Sequence, residues 1–334
     1  MIEVTHLQRY PVEGNHSVER IFEDVRRYAP PDIDIEVSIN SYPSSGMTPR
    51  LRDAWRARDA KGIRHITGDT HYLAWFLPRK GTILTILDCV TLERLDGAKR
   101  RVFQRLWYDI PIRHAERITT ISTFSAESIE RHTGYPAAQI AIIPPALSME
   151  FRRDDRPFNA GRPRILQVGT SENKNLARVA EAIQGVDVEL AVIGRLSPVQ
   201  AQMLHGRGIA FENRVNISRE DLLEEYRRAD IVMFASLYEG FGMPIIEAQA
   251  IGRPVITSNR CSMPEAAGDG ALLVDPETVD AIRAALLRIV SDENYRNELV
   301  QRAFSNAMRY SPERIAADYA AIYREVATAG ERVQ

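Results

Sequence analysis

Each half of the chain alternates short runs of β-branched residues with longer amphipathic stretches. Parallel strands need long crossover connections, which are usually helices, so this order predicts parallel sheets covered by helices. The predicted strands are Ile2–His6, Ile33–Ile39, Arg64–Thr67, Thr82–Cys89, Ile118–Ser122, Ile140–Ile143, Ile165–Val168, Glu189–Ile193, Ile209–Glu212, Ile231–Ala235, Val255–Thr257 and Leu272–Val274. We therefore expect an α/β fold with two doubly wound sheets.

A charged segment over residues 151–163 separates the two halves. It contains Pro and Gly and shows no apolar period, which is typical of an interdomain linker. A chain of 334 residues is also longer than one hydrophobic core usually supports. We therefore predict one domain over residues 1–150 and another over residues 164–327. The last predicted helix, Pro312–Val326, lies within the second range. Whether it packs back on the first domain is left open.

Charge is distributed unevenly along a chain whose formal net charge is −2. This balance gives no reason to expect nucleic-acid binding, which would require a strongly basic surface. Between Arg50 and Arg105, however, 13 Lys/Arg stand against 6 Asp/Glu. This local excess indicates either a solvated basic face or contact with an anionic membrane surface or acidic acceptor.

The chain has two cysteines, Cys89 and Cys261. They form neither a disulfide framework nor a Cys-x-x-Cys metal signature, which suits a reducing compartment. The first residues lack a basic region followed by an apolar core, and no apolar run approaches the roughly 18 residues of a membrane span. We expect a cytoplasmic protein, with contact at the inner face of a membrane left open.

Ligands of open α/β sheets bind beyond the carboxyl ends of the strands, so the loops there are the candidates for chemistry. The most informative loop follows the strand that ends at Ala235 and leads into a helix predicted to begin at Pro244. Gly240 and Gly242 let its backbone approach a ligand. Backbone N–H groups around Phe241, Gly242, Met243 and Ile245, with the helix dipole, predict a site for phosphate or sugar oxygens.

Two carboxylates, Glu239 and Glu247, bracket this loop. Both are predicted to face one pocket, and a carboxylate is a natural acceptor for pairs of sugar hydroxyls. The alternatives are a solvated loop acid for Glu239 and a charge favoured near a helix N-terminus for Glu247.

The segment around these acids resembles the E-x7-E signature of retaining glycosyltransferases with the GT-B fold, in particular glycosyltransferase family 4. The similarity runs from Tyr238-Glu-Gly-Phe-Gly-Met-Pro-Ile-Ile-Glu247 through Ser258 and on over residues 263–276. The resemblance implies two Rossmann-like domains facing across a cleft, the first binding the acceptor and the second the nucleotide-sugar donor. It implies that Glu239 contacts the donor sugar and that Glu247 binds the ribose.

A second loop, after the strand Ile165–Val168, is a candidate for phosphate binding. Gly169 permits a tight exit from the strand, and Asn173 or Asn175 is expected to cap the following helix. Lys174 would then stand at a helix N-terminus beside a diphosphate, or else be an exposed lysine next to a cap. The loop is neither a Walker loop nor a G-x-G-x-x-G fingerprint, which removes the usual support for an ATPase or a dehydrogenase.

The resemblance extends to this loop. Gly169, Thr170 and Lys174 match the family pattern, whereas Asn173 stands where an arginine is common. Arg195 is the candidate for the second cation that would neutralise the diphosphate. The alternative is that Arg195 is an ordinary surface residue. The base of the donor is expected near residues 213–216, where the family reads it largely through backbone groups.

The first half resembles the family less closely, mainly over residues 118–130 and 142–145. Gly14 matches the family's glycine-rich loop over the donor phosphate, with an ordinary turn as the alternative. The resemblance makes His71 the candidate for a contact with the donor sugar, and His65 is the competing candidate. The alternative for His71 is a histidine that is only hydrogen-bonded within the structure. Asp88 stands where the family often has His-Asp, but Leu87 replaces the histidine.

The resemblance implies a retaining glycosyltransferase that moves a hexose-type sugar from a GDP- or UDP-linked donor to a glycan or lipid-linked glycan. It implies no metal and no cofactor, and a leaving diphosphate that helps deprotonate the acceptor. The alternatives are a sugar-nucleotide epimerase and a non-catalytic sugar-nucleotide-binding protein on the same fold. Product analysis separates the three, because only transfer needs an acceptor.

Overall fold

The computed structural model describes residues 1–11 and 17–331 and divides into two compact units. The first unit comprises Met1–Ala146 and Pro312–Gln334, and the second comprises Leu147–Ser311. Gly14 lies outside the described residues, so its predicted role stays a prediction. Within the described ranges, every helix is too short or too polar to cross a bilayer.

The first unit contains a sheet of six parallel strands in the order β2-β1-β3-β4-β5-β6. Its strands are β1 Ile2–Gln8, β2 Ile33–Ile39, β3 Ile63–Ile66, β4 Thr82–Thr85, β5 Arg117–Thr120 and β6 Ile140–Ile142. Its helices are α1 Ser17–Arg27, α2 Met47–Arg56, α3 Val90–Arg94, α4 Gly97–Gln104, α5 Ile110–Arg113, α6 Thr123–Thr133 and, from the end of the chain, α14 Pro312–Glu331.

The second unit contains a sheet of six parallel strands in the order β12-β11-β10-β7-β8-β9. Its strands are β7 Arg164–Val168, β8 Glu189–Ile193, β9 Phe211–Arg214, β10 Ile231–Phe234, β11 Val255–Ser258 and β12 Leu272–Val274. Its helices are α7 Leu176–Ile183, α8 Pro198–Gly206, α9 Arg219–Arg228, α10 Met243–Ile251, α11 Met263–Ala267, α12 Val279–Ser291 and α13 Glu293–Ala307. All the predicted strands are present, and the fold class is confirmed.

Both strand orders create a point where successive crossovers leave in opposite directions. In the second sheet this point lies between β7 and β10, and in the first between β1 and β3. Ligands of open parallel sheets bind at the carboxyl ends of such neighbouring strands. The register pairs Val168 at the end of β7 with Ile193 of β8, and Gly169 N–H then donates to the Ile193 carbonyl at 2.8 Å. The loops after β7, β8 and β10 therefore leave the same edge of the sheet.

Helix α14 completes the core of the first unit. Its residues Tyr319 and Tyr323 are buried against β1, β3 and α1. The Tyr323 hydroxyl lies 2.9 Å from His6 Nε2 and 2.8 Å from His65 Nδ1, while His65 Nε2 lies 2.7 Å from Thr85 Oγ1. Burial lowers the pKa of His65 to about 3, so this internal hydrogen-bonded chain is uncharged at neutral pH.

The segment 151–163, predicted to be a linker, is packed on the second unit. Phe151 is buried, Asp154 pairs with Arg253 Nη2 at 2.9 Å, and Asn159 N–H donates to Asp230 Oδ1 at 2.9 Å. The boundary between the units falls earlier, at Ala146 and Leu147. The linker prediction was wrong because its charged and polar groups find partners that are distant in sequence.

Candidate functional site

The loop after β10 carries Glu239 and enters helix α10 at Gly242. Gly242 has φ 102°, in the left-handed region, and a Cβ there would come within 3.0 Å of Ile245 Cδ1. Helix α10 begins at Met243, so Pro244 is its second residue rather than its first, and Glu247 opens its second turn. The predicted boundary was one residue late because Pro is tolerated throughout the first turn.

Ser262, the residue immediately before α11, fixes the shape of this loop. Its buried hydroxyl lies 2.8 Å from the Glu239 carbonyl oxygen and 3.0 Å from that of Phe241. The Phe241 side chain is itself buried and meets the Tyr310 ring edge-on, with ring centroids 5.4 Å apart. Phe241 therefore anchors the loop, and only its backbone is available to a ligand.

The tip of α10 presents backbone donors. The Ile245 N–H donates to the Gly242 carbonyl at 2.9 Å. Among the described residues, the N–H groups of Gly242 and Met243 have no hydrogen-bond partner. Two amides at the positive end of a helix dipole form a site suited to phosphate or sugar oxygens.

Lys174 and Glu239, predicted from separate loops, lie side by side. Lys174 Nζ is 2.7 Å from Glu239 Oε1, and the two side chains are only 19% and 15% exposed. Lys174 ends a 3₁₀ turn, Glu172–Lys174, just before α7, and its ammonium lies 4.6 Å from the centroid of the Phe234 ring. The structure therefore places a cation and a carboxylate together at the junction of β7 and β10.

Gly169 leaves the room that Lys174 occupies. Its φ is 93°, and a Cβ at this position would lie 2.8 Å from Lys174 Cε. Any other residue at position 169 would displace the lysine side chain or the backbone beneath it.

Neither Asn173 nor Asn175 caps α7 through its side chain, which corrects the prediction. Asn175 occupies the N-cap position with φ 59°, but its amide donates to the carbonyls of Ala235 at 3.0 Å and Pro276 at 2.7 Å. The Asn173 amide lies 3.0 Å from the Tyr238 carbonyl and 3.3 Å from Glu239 Oε1. Both asparagines fasten the loop after β10 to the loop after β7.

Thr170 and Arg195 border an open groove of about 920 Å³ beside these loops. Thr170 Oγ1 donates to the Arg195 carbonyl at 2.7 Å, which ties the loop after β7 to the loop after β8. Among the described residues, the exposed Arg195 guanidinium has no carboxylate within ion-pair distance. Arg195 is therefore able to turn toward an anion, whereas the Asn213 amide is held by the carbonyls of Val192 and Gly194.

Glu247 has a partner that the sequence did not indicate. The Tyr226 hydroxyl donates to Glu247 Oε2 at 2.6 Å from helix α9. Tyr226 is fully buried, and burial, followed by the Glu247 charge, raises the pKa of its hydroxyl well above the ordinary value. The hydroxyl therefore stays protonated and orients the Glu247 carboxylate.

His71 opens the 3₁₀ helix His71–Phe76 beyond the carboxyl end of β3. Its Nδ1 lies 2.8 Å from the Trp107 carbonyl, so Nδ1 carries the proton and Nε2 the lone pair. Burial lowers the pKa of His71, which keeps the ring neutral, although the Trp107 carbonyl and Asp69 oppose this shift.

The other candidates of the first unit, His65 and Asp88, and the nearby Asp69 have partners within that unit. His65 is inside the core, where both ring nitrogens have partners, and this accounts for it as a structural histidine. Asp69 is exposed and lies 3.4 Å from Arg9 Nη1, whereas Asp88 Oδ1 accepts the Val90 N–H at 3.0 Å. In the ranges that the structure describes, no three His, Cys, Asp or Glu side chains are grouped to hold a metal ion.

Comparison with known proteins agrees with this geometry. Residues 148–306 match the family described as glycosyl transferases group 1. The O-antigen chain mannosyltransferase B of Escherichia coli is 30% identical over 286 residues, which cover 78% of this chain and 74% of that protein. The MMP alpha-(1->4)-mannosyltransferase of Mycolicibacterium hassiacum is 26% identical over 246 residues, 68% of this chain but only 59% of that protein.

Solved structures share the architecture. Anabaena HepE in complex with UDP and glucose aligns with a TM-score of 0.77 at 16% identity, over 97% of this chain and 100% of that chain. WaaG, a glycosyltransferase involved in lipopolysaccharide biosynthesis, aligns with a TM-score of 0.69 at 14% identity, over 96% and 99% of the two chains.

The two six-stranded parallel sheets and these alignments define the fold as GT-B. The identity to the Escherichia coli enzyme over most of both chains, with the family match, goes further than the fold. This chain belongs to the glycosyl transferases group 1 family and is a glycosyltransferase, and the resemblance to glycosyltransferase family 4 is confirmed.

Proposed function

We propose that this protein is a retaining hexosyltransferase that uses a GDP- or UDP-linked donor, with mannose as the first candidate sugar. The names of its relatives support this choice, because the O-antigen enzyme and the Mycolicibacterium hassiacum enzyme are both mannosyltransferases. The name of the O-antigen chain enzyme supports a glycan acceptor and a role in polysaccharide synthesis. A lipid-linked glycan is the more specific form of acceptor that we propose.

The observation that carries the proposal is the contact between Lys174 Nζ and Glu239 Oε1 at 2.7 Å. Departure of a nucleoside diphosphate leaves negative charge on a phosphate oxygen and positive charge on the anomeric carbon. An ammonium suits the first charge and a carboxylate the second. The N–H groups of Gly242 and Met243 add donors for the phosphate at the same loop, and such preorganised donors are typically worth 10²–10³-fold in rate each.

The proposed reaction breaks the bond between the anomeric carbon and the diphosphate oxygen on the same face as the new bond forms. The acceptor hydroxyl oxygen bonds to the anomeric carbon, and its proton passes to the departing diphosphate. Glu239 accepts hydrogen bonds from sugar hydroxyls, and Glu247, held by Tyr226, accepts those of the ribose. Lys174 neutralises the diphosphate with Arg195 of the adjoining loop as the second cation, and Gly169 and Thr170 shape the loop that carries Lys174.

Three further parts of the proposal concern the setting of the reaction. We propose that transfer needs no divalent metal, that the protein works at the inner face of a membrane, and that the basic stretch from Arg50 to Arg105 meets anionic lipid there. The contact of His71 with the donor sugar stays a prediction, supported by a neutral ring whose Nε2 accepts hydrogen bonds.

The test combines binding with product analysis. GDP, UDP, GDP-mannose and UDP-glucose are titrated by calorimetry, and transfer to a mannose-terminated oligosaccharide is followed by NMR of the anomeric proton with and without EDTA. We expect Glu239→Gln to keep nucleoside-diphosphate binding and to lose at least about 100-fold in transfer. Glu298→Gln, an exposed acid on α13, is the matched control and should match the wild type.

Full transfer by Glu239→Gln would refute the role of Glu239, and an inverted anomeric product would refute retention. Conversion of the donor to another sugar nucleotide without acceptor would identify an epimerase. Binding without turnover of either donor, in the presence of the acceptor, would indicate a non-catalytic binding protein.

A further inference from the structure

Helix α2 of the first unit exposes the side chains that a helix normally buries. Its inward face buries Asp53 and Ala54, whereas Met47, Leu51 and Trp55 are 48%, 41% and 59% exposed. A helix on a water-facing surface usually turns its large apolar residues inward and its acids outward. The reversed arrangement leaves large apolar side chains of this helix in contact with solvent.

The three exposed side chains form one stripe. Met47, Leu51 and Trp55 follow one another at intervals of four residues, which places them on neighbouring turns of one helical face. The stripe continues beyond the helix, because the Trp55 ring meets the Phe76 ring with centroids 5.8 Å apart, and Phe76 is 40% exposed.

Positive charge surrounds this stripe. Arg52, Arg56 and Arg58 are exposed, and the Arg58 guanidinium lies 4.2 Å from the centroid of the Trp55 ring. Of the two acids between residues 47 and 59, Asp53 is buried, which leaves Asp59 as the exposed one. Helix α4 has no buried residue and carries Lys99, Arg100 and Arg101.

We propose that Met47, Leu51, Trp55 and Phe76, with Arg52, Arg56 and Arg58, form a docking surface for an anionic lipid bilayer. Apolar side chains at the base of the head groups, tryptophan at the interface and guanidinium groups on lipid phosphates are the contacts of an interfacial amphipathic helix. The excess of positive charge extends over several elements between residues 50 and 105, which fits a diffuse field of anionic head groups.

The docking surface lies close to the predicted acceptor end of the first sheet. Phe76 ends the 3₁₀ helix that His71 begins, so the two residues are about 10 Å apart at the roughly 2 Å rise per residue of such a helix. A glycan on a lipid anchor would then reach the carboxyl edge of β3 from the bilayer. The docking surface deepens the membrane contact of the proposed function, and only the delivery of the acceptor rests on the proposed transfer reaction, because docking needs neither donor nor acceptor.

The experiment measures binding of the full chain to vesicles without any sugar nucleotide. Co-sedimentation is compared for phosphatidylcholine vesicles and for vesicles with 30 mol% phosphatidylglycerol, roughly a physiological anionic content. Leu51→Ser and Trp55→Ser are compared with Leu287→Ser, whose leucine is 44% exposed on α12 of the second unit. Among Trp55, Trp75 and Trp107, Trp55 is the most exposed, so its emission should shift to the blue on binding.

We expect the wild type and Leu287→Ser to bind anionic vesicles and to bind neutral vesicles far more weakly. Leu51→Ser and Trp55→Ser should each lose roughly ten-fold in affinity, from the apolar area that no longer leaves water. Absence of binding to anionic vesicles, or an equal loss in Leu287→Ser, would overturn the proposal. A dimer that Trp55→Ser converts to a monomer would assign the surface to a second copy of the chain instead. Failure of sugar transfer alone would leave the vesicle result intact and would bear only on the proposed function.

Discussion

The Tyr226 hydroxyl lies 2.6 Å from Glu247 Oε2, so a fully buried tyrosine on α9 fixes the direction of a carboxylate on α10. The Tyr226 hydroxyl is a neutral donor, and burial keeps it protonated, so it orients the Glu247 carboxylate from the neighbouring helix. This relationship separates the site of Glu247 from that of Glu239, whose carboxylate is paired with Lys174.

Replacing Tyr226 by Phe removes this single hydrogen bond and keeps the ring in the core. We expect about a ten-fold rise in KM for the nucleotide sugar and little change in kcat, because a hydrogen bond to a charged group contributes about 1.5–3 kcal/mol. Steady-state kinetics measure the effect. Tyr295→Phe on α13 is the matched control, and an equal change in KM there would show that the effect is not specific to Glu247.

Replacing Lys174 by Met removes the ammonium and keeps an apolar side chain against Phe234. We expect affinity for GDP or UDP to fall by about 10–100-fold, whereas the affinity for the bare nucleoside stays within about two-fold, because only the diphosphate interacts with the cation. Calorimetry with both ligands measures the difference. Lys99→Met on α4 should behave as the wild type, and unchanged diphosphate affinity in Lys174→Met would rule out the phosphate role.

Gly169→Ala tests whether the absence of a side chain at position 169 sets the position of Lys174. Both Gly169 and Gly185 have positive φ, 93° and 75°, but a Cβ at Gly185 meets open space whereas one at Gly169 lies 2.8 Å from Lys174 Cε. Each alanine should cost about 1–2 kcal/mol of unfolding free energy from backbone strain. We expect only Gly169→Ala to lose transfer activity as well. Equal activities of the two variants would show that the position of Lys174 is not set by Gly169.

The buried histidines of the first unit should make its stability depend on pH. Burial lowers the pKa of His65 to about 3. Burial, together with the neighbouring His65 ring and the Arg26 guanidinium, lowers the pKa of His6 well below its ordinary value. The unfolded chain binds these protons near pH 6.5 and the folded chain does not. The stabilisation is therefore complete above about pH 6.5 and is lost as the pH falls toward 3, at up to about 1.4 kcal/mol per pH unit for each histidine.

Urea unfolding at pH 7, 6 and 5 measures how the free energy of unfolding changes with pH. His65→Gln should flatten this dependence, whereas His205→Gln, an exposed histidine on α8, should not. A slope that is the same in both variants would show that His65 does not bind its proton on unfolding.

The sequence was sufficient for the architecture because most strands are local, β-branched runs between helical stretches. Strand ends were less precise: the strand predicted to reach Cys89 ends at Thr85, since Ile86 and Cys89 are still buried after the strand has ended. The hydrophobicity of a residue predicts whether its side chain is buried, not whether its backbone pairs with a neighbouring strand. Pairing ends where the neighbouring strand ends.

Less of the candidate site than of the fold could be predicted from the sequence. The loops with Lys174 and Glu239 were found from their own residues, but the bonds that join them were not. Asn175 was expected to cap its helix, since Asn beside a helix start commonly does so, yet its amide reaches Ala235 and Pro276. Tyr226 and Ser262 gave no signal at all, because a tyrosine within a helix and a serine in a turn acquire their roles only through distant partners.

The first unit is built from two separate stretches of chain, and this dictates an order of assembly. Residues 147–311 are contiguous, so the second unit has all of its sequence as soon as its last helix has been synthesised. The earlier unit must wait for α14, which supplies Ile315, Tyr319 and Tyr323 to its interior. During translation the half made first is therefore the half finished last, with part of its apolar surface uncovered until the C-terminal helix arrives.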